Sequence, residues 1–247
     1  MILVLSGTKD GKEIAERLKL SGFEVIASTV TDYGASLFDK GIKVFSGVLD
    51  EVGMIDFINK NKINIVVDAT HPFAKEVSIN AINASLRASI KYIRYERQSA
   101  DFRNAILAAD FDEAVEKCKE FDNIFLTIGS KNLEKFRPLW EDGKKVTARV
   151  LPSSDVLIKC EGLGLTPKDI IAMEGPFSTE LNYIMFKERK AEVIVTKESG
   201  TTGGVAEKLE AASRLGICTI LIKRPIINYP TIVNDFDSLM KEIIDNT

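Results

Sequence analysis

Short apolar runs alternate with helix-length segments along almost the whole of this chain, and nothing else restricts its fold as strongly. Ile2–Ser6, Phe23–Ala27, Ile42–Phe45, Asn64–Asp68 and Tyr92–Tyr95 read as strands. Strands so continuously apolar are buried on both faces, which argues for a parallel sheet covered by helices on each side. The intervening helices fall after Gly7-Thr8-Lys9-Asp10-Gly11, over Asp50–Asn59 and over Phe73–Ser89, with Gly22 placed to end the first one. The rhythm breaks between Gln98 and Asp110 and then resumes. Strands at Ile124–Thr127, Val146–Val150, Ile170–Met173, Val193–Thr196 and Thr219–Ile222 alternate with helices at Asp112–Glu120, Lys131–Trp140, Ser154–Leu163, Thr179–Lys190 and Gly204–Leu215. An amphipathic helix over Phe236–Ile244 closes the chain. The pattern predicts an α/β protein of two doubly wound, Rossmann-like parallel-sheet domains, residues 1–100 and 101–247, with an interdomain cleft.

Residues 66–74, Val-Val-Asp-Ala-Thr-His-Pro-Phe-Ala, hold the densest chemistry. An apolar run stops at Asp68 and is followed by a hydroxyl, the sole histidine and a proline. Proline keeps the residue before it extended and suits the first turn of a helix. Asp68, Thr70 and His71 are therefore expected where a strand ends and a helix begins, the place where open α/β sheets bind ligands. The plainer alternative is that Asp68 or Thr70 only caps the helix.

The other unusual residues also follow predicted strands. Gly7 and Thr8, Ser28 and Thr29, Thr127 and Gly129, and Ser199 and Gly200 combine backbone that a ligand can approach with hydroxyl donors. With Thr70 they are the candidate cofactor contacts. The first turn, Ser6-Gly7-Thr8-Lys9-Asp10-Gly11, is neither Gly-x-Gly-x-x-Gly nor a P-loop. Ser28 and Thr29 occupy the second strand tip, where an NAD-preferring domain carries an acid, so the tip admits the 2′-phosphate of NADPH. Asp32 and Lys9 are the nearest charges in sequence. Lys197 ends an apolar strand before a hydroxyl-rich loop and can hold an anion or donate a proton, or pair with Glu174 or Glu198. Arg94 and Arg97 can clamp carboxylates, or form surface pairs.

Composition removes several classes. The net charge is −3, with 33 basic and 36 acidic residues interspersed, which gives no electrostatic support for nucleic acid. The three cysteines lie far apart and there is one histidine, so no metal site is expected. No apolar run approaches the ~20 residues that span a membrane. The N-terminus enters a strand without a signal-like segment, and the expected location is cytoplasmic. Nothing in the sequence fixes the oligomeric state.

Taken together, Asp68–Ala74, Arg94–Arg97, Leu126–Gly129, Ala148–Pro152, Glu174–Ser178 with Glu180 and Asn182, and Val195–Gly200 resemble the precorrin-6A reductases, including the cobalt-precorrin-6A reductases. The resemblance runs in order from Ser6-Gly7-Thr8 to Lys223-Arg224-Pro225, with a departure at Gln98-Ser99, where a proline and often a tryptophan are expected. It implies an NADPH-dependent reduction of one double bond in a tetrapyrrole macrocycle. It also implies Asp68, His71 and Lys197 as catalytic residues and Arg94, Arg97 and Ser178 as contacts for the substrate's acid groups. A non-catalytic two-domain binding protein and a nucleotide-dependent transferase are the alternatives. Neither would oxidise a reduced nicotinamide.

Overall fold

The computed structural model describes residues 1–96, 102, 105–199 and 204–246. Arg97 and Gly200 lie outside the described residues. The chain divides into two compact units, Met1–Gln98 with Ile226–Thr247, and Ser99–Pro225.

The first unit runs β1 (Ile2–Leu5), α1 (Lys9–Leu20), β2 (Val25–Thr29), α2 (Asp32–Ser36), β3 (Lys43–Ser46), α3 (Glu51–Asn61), β4 (Ile65–Asp68), α4 (Lys75–Arg87) and β5 (Lys91–Tyr95). The second runs β6 (Ile106–Ala108), α5 (Phe111–Cys118), β7 (Asn123–Leu126), α6 (Arg137–Glu141), β8 (Lys145–Val150), α7 (Ser154–Gly162), β9 (Ile170–Ala172), α8 (Thr179–Glu188), β10 (Val193–Lys197), α9 (Val205–Leu215) and β11 (Cys218–Ile222). The chain then returns to the first unit with β12 (Ile232–Val233) and α10 (Phe236–Ile244). This return departs from the expected boundary, which ran the second domain to the C-terminus. A two-residue strand gives no periodicity to read, so β12 was invisible until its pairing with β5 was seen, Ile232 opposite Arg94 and Val233 opposite Tyr95.

Both sheets are wholly parallel. The first has the order β12-β5-β4-β1-β2-β3, and the second β6-β11-β10-β7-β8-β9. In the first, the winding direction reverses between β1 and β4; in the second, between β7 and β10. Those are the topological switch points at which doubly wound sheets expose strand tips to a ligand.

Side-chain alternation explains the layers. Val4, Ala27, Val67 and Ile93 face Ile14 and Leu18 of α1 and Leu239 and Ile243 of α10. Their neighbours Leu3, Ile26, Val66 and Tyr92 face Met54 and Ile58 of α3 and Ala81 and Ala84 of α4. Each buried aliphatic side chain contributes roughly 1.5–3 kcal/mol. In the second unit, Phe125 and Ile194 pack on Phe186 of α8 and Ala211 and Ala212 of α9. Helix α1 begins where Thr8 accepts from Gly11 N–H at 3.1 Å and stops before Gly22, at φ +90°.

One local expectation is corrected. Helix α4 starts at Lys75, not Phe73, because the Ala74 N–H donates to the His71 carbonyl at 2.8 Å and closes a turn over Pro72 and Phe73.

Candidate functional site

In the first unit the β1 and β4 tips are tied across the switch point. The Thr8 hydroxyl donates to the Ala69 carbonyl at 3.0 Å while it caps α1. Gly7, exposed at φ +144°, adopts a backbone that other residues rarely reach, with nothing within 4 Å of where a Cβ would project. At Gly11 a Cβ would meet the Ser6 side chain at 2.4 Å, so only glycine lets α1 start this close to β1. The result is a turn with exposed backbone at the head of a twelve-residue helix, a setting that suits a dinucleotide's phosphates.

Asp68, at the end of β4, is fully buried and saturated with donors. Its Oδ1 accepts from Thr70 N–H at 3.0 Å, Thr70 Oγ1 at 2.6 Å and Arg94 Nη1 at 2.9 Å. Its Oδ2 accepts from Ser78 Oγ at 2.6 Å and Tyr92 Oη at 2.7 Å. Burial pushes the carboxyl up, but Arg94 and the hydroxyl donors outweigh it and hold Asp68 below the ordinary carboxylate range. Arg94, only 1 % exposed, also donates through Nε to Glu96 at 3.0 Å. Its guanidinium lies 5.2 Å from the Tyr229 ring, which stacks on Tyr92 at 6.4 Å. Burial would lower Arg94, yet Asp68 and Glu96 keep it raised and charged.

This network alters two expectations. Arg94 is enclosed by Asp68, Glu96 and Tyr229 and cannot clamp a substrate carboxylate. Asp68 is a permanently ionised anchor that positions the Thr70-His71 turn; its lone pairs are taken, so proton transfer falls to other groups. His71 remains half-buried at this tip, its Nδ1 accepting from Phe73 N–H at 3.2 Å. A neutral ring so held carries its proton on Nε2.

Ser28 and Thr29 require a further correction. They are 8 % and 4 % exposed, and the Thr29 hydroxyl donates to the Thr31 carbonyl at 3.0 Å. The exposed end of β2 is Val30, and Thr31 caps α2. Two side chains turned inward do not read a 2′-phosphate.

In the second unit the β7 tip continues into Thr127, whose hydroxyl donates to the Val195 carbonyl of β10 at 2.8 Å, and into Gly129 at φ +74°. Lys197 and Ser199, both half-buried, follow at the β10 tip. Burial, aided by Lys131, pushes the Lys197 ammonium down to about 8. Ser178 is exposed and caps α8, accepting from Leu181 N–H at 3.2 Å.

Sequence reading missed a cluster beside this tip. Arg149 of β8, 6 % exposed, donates to Asn182 Oδ1 of α8 at 2.7 Å and lies 4.0 Å over the Phe177 ring. Lys208 of α9, 8 % exposed, donates to Thr196 Oγ1 at 3.4 Å. Burial lowers Arg149 to about 10; burial together with Arg149 and Lys197 lowers Lys208 to about 7. A lysine at a core position of α9, among Val205, Ala211 and Ala212, was the available signal.

Among the described residues no group of histidine, cysteine and acidic side chains could hold a metal. Nor, among them, is any helix long and apolar enough to cross a membrane.

Comparison with known proteins agrees along the whole length. The family model described as precorrin-6x reductase CbiJ/CobK matches residues 1–243. A cobalt-precorrin-6A reductase of Priestia megaterium is 42% identical, covering 100% of this chain and 99% of the relative. One from Methanocaldococcus jannaschii is 39% identical over 98% of this chain and 97% of the relative. The solved structure of a CobK precorrin-6A reductase superposes with a TM-score of 0.83 at 24% identity, over 99% of this chain and 96% of that one, and shares the fold.

Proposed function

This chain belongs to the precorrin-6x reductase CbiJ/CobK family of cobalamin biosynthesis, and from that premise we propose that it reduces one double bond of the precorrin-6A macrocycle, with or without cobalt, at the expense of NADPH. The observation that carries the cofactor half is the first unit's switch point. There an exposed glycine of positive φ heads α1 beside the β4 tip, in a sheet whose strand order is that of dinucleotide-binding domains. The backbone of Gly7 and the α1 N-terminus would hold the pyrophosphate, with Thr8 and Thr70 shaping the turn around it. In the second unit, Thr127, Gly129 and Ser199 line the equivalent tip, and Gly200 follows in sequence. Bound NADPH supplies the hydride.

The chain's own residues then hold and move the proton. His71, with its proton on Nε2, and Lys197, lowered to about 8, are both able to donate near neutral pH. Asp68 and Arg94 fix the turn that carries His71. Arg97 and Ser178 would meet the macrocycle's acid groups.

Anaerobic incubation with precorrin-6A and NADPH tests the reading. One equivalent of NADPH should be consumed per macrocycle, with a mass gain of two hydrogens. A macrocycle left unchanged in mass, metal-free and cobalt-bearing alike, overturns it.

A further inference from the structure

A buried cation is costly unless an opposite charge or several strong acceptors offset the loss of water. Arg149 and Lys208 are both more than nine-tenths buried, and the oxygens they donate to, Asn182 Oδ1 and Thr196 Oγ1, are neutral. Sheet register brings them to one level. Leu126 is opposite both Ala148 and Val195, so one residue further along lie Thr127, Arg149 and Thr196, at the C-terminal edge of neighbouring strands. Alternation turns these three to the same face as Phe125 and Ile194, the face that α8 and α9 cover. Lys208 reaches that level from α9 and Asn182 from α8.

We propose that Arg149 and Lys208, with Asn182 and Thr196, form a site for one oxyanion of a ligand, a carboxylate or a phosphate, and that a proton is taken up as the anion enters.

The site stands on this geometry; only the source of its ligand rests on the reductase reading. The charged groups that act on Lys208 are Arg149 of β8 and Lys197 of β10, which oppose its charge, and Glu207 of α9, which favours it. From α8, Glu180 is engaged by Arg214, and β11 carries no charged side chain. Repulsion from two cations and burial exceed the help from Glu207, so Lys208 is largely neutral just above pH 7. An incoming oxyanion reverses that balance, because an opposite charge at contact favours the charged form. Lys208 then takes a proton from solvent and the ligand's charge is met by two cations. The two possible sources are the acid groups of a tetrapyrrole and the phosphates of a dinucleotide.

Calorimetric titration of the full chain at pH 8, in two buffers of different ionisation heat, tests this with uroporphyrin, a tetrapyrrole polycarboxylate, and with NADPH as probes. One of the probes should bind with uptake of about one proton. In K208M that uptake should vanish and affinity should fall about tenfold or more, the cost of about one charge-assisted hydrogen bond. Uptake with uroporphyrin assigns the site to carboxylates; uptake with NADPH assigns it to phosphates. Proton uptake absent with both, or surviving in K208M, overturns the proposal. Thermal unfolding without ligand supplies a second test: K208M should melt higher than the parent, because a buried charge is removed. A K208M chain that melts lower or fails to fold makes Lys208 a structural residue and likewise overturns the site. NADPH binding without uptake in either titration would defeat the site and leave the reductase reading standing. Uptake with uroporphyrin but no NADPH binding would do the reverse.

Discussion

Each unit buries an arginine beside the C-terminal edge of its sheet, and the two are treated in opposite ways. Arg94 meets a carboxylate at 2.9 Å and a second at 3.0 Å, and its charge is reinforced. Arg149 meets an amide oxygen and an aromatic face, with a buried lysine acting on the same ground, and both cations are weakened. The first arrangement spends its charges on holding a strand tip still. The second leaves positive charge poorly compensated, a state that costs stability and favours whatever anion arrives. Similar sheets thus yield an anchor in one unit and a receptor in the other.

Removing the anchor should have the largest effect. Asp68→Ala leaves Arg94 buried without its main partner and also strands the Ser78 and Tyr92 hydroxyls. A loss of about 3–5 kcal/mol is expected in urea unfolding, the usual cost of breaking a buried pair. A loss under about 1 kcal/mol would show that the network does not hold the tip. Next comes chemistry: Lys197→Ala and His71→Ala, made separately, should each fold normally, and the one that donates the proton should lose about 10²-fold or more in turnover. Undiminished turnover in both would remove them from catalysis and leave the proton to solvent.

The pH dependence of stability separates the units further. Lys208 has a folded value near 7 against an ordinary 10.5, so between those limits the unfolded chain binds more protons than the folded one. Stability therefore rises with pH across that window, by up to about 1.4 kcal/mol per pH unit for this group, and K208M should lose that contribution. Asp68 acts at the other end. Its folded value is lowered from 3.8, so its contribution is intact above that pH and disappears as acid brings the pH down through the folded value. The smallest change is Ser78→Ala, which removes one of five donors to Asp68 and should cost about 1 kcal/mol in the same urea assay.

Much of the fold was legible because apolar strands and glycine-rich turns are local signals. Helix α10 and the strand tips at Asp68 and Thr127 fall where periodicity places them. The return of β12 to the first sheet was not legible, since Ile232 and Val233 acquire meaning only from Arg94 and Tyr95 opposite them. The site divides similarly. Position in the chain brought Asp68, His71 and Lys197 to strand tips, but not the direction of their neighbours' side chains. Thr29 turns inward and Arg94 is consumed by Asp68, both consequences of contacts across strands. Lys208, twelve residues after Thr196 and on another element, carries no signal beyond a charge in an apolar helix face.

The central claim, that this family member works with a reduced nicotinamide dinucleotide, is most directly tested by fluorescence titration of the purified chain with NADPH and, separately, NADH. The account predicts saturable binding of NADPH, tighter than that of NADH, a preference that now rests on the family and no longer on Ser28 and Thr29. Binding of neither, with uroporphyrin absent and again with it present, would contradict the claim.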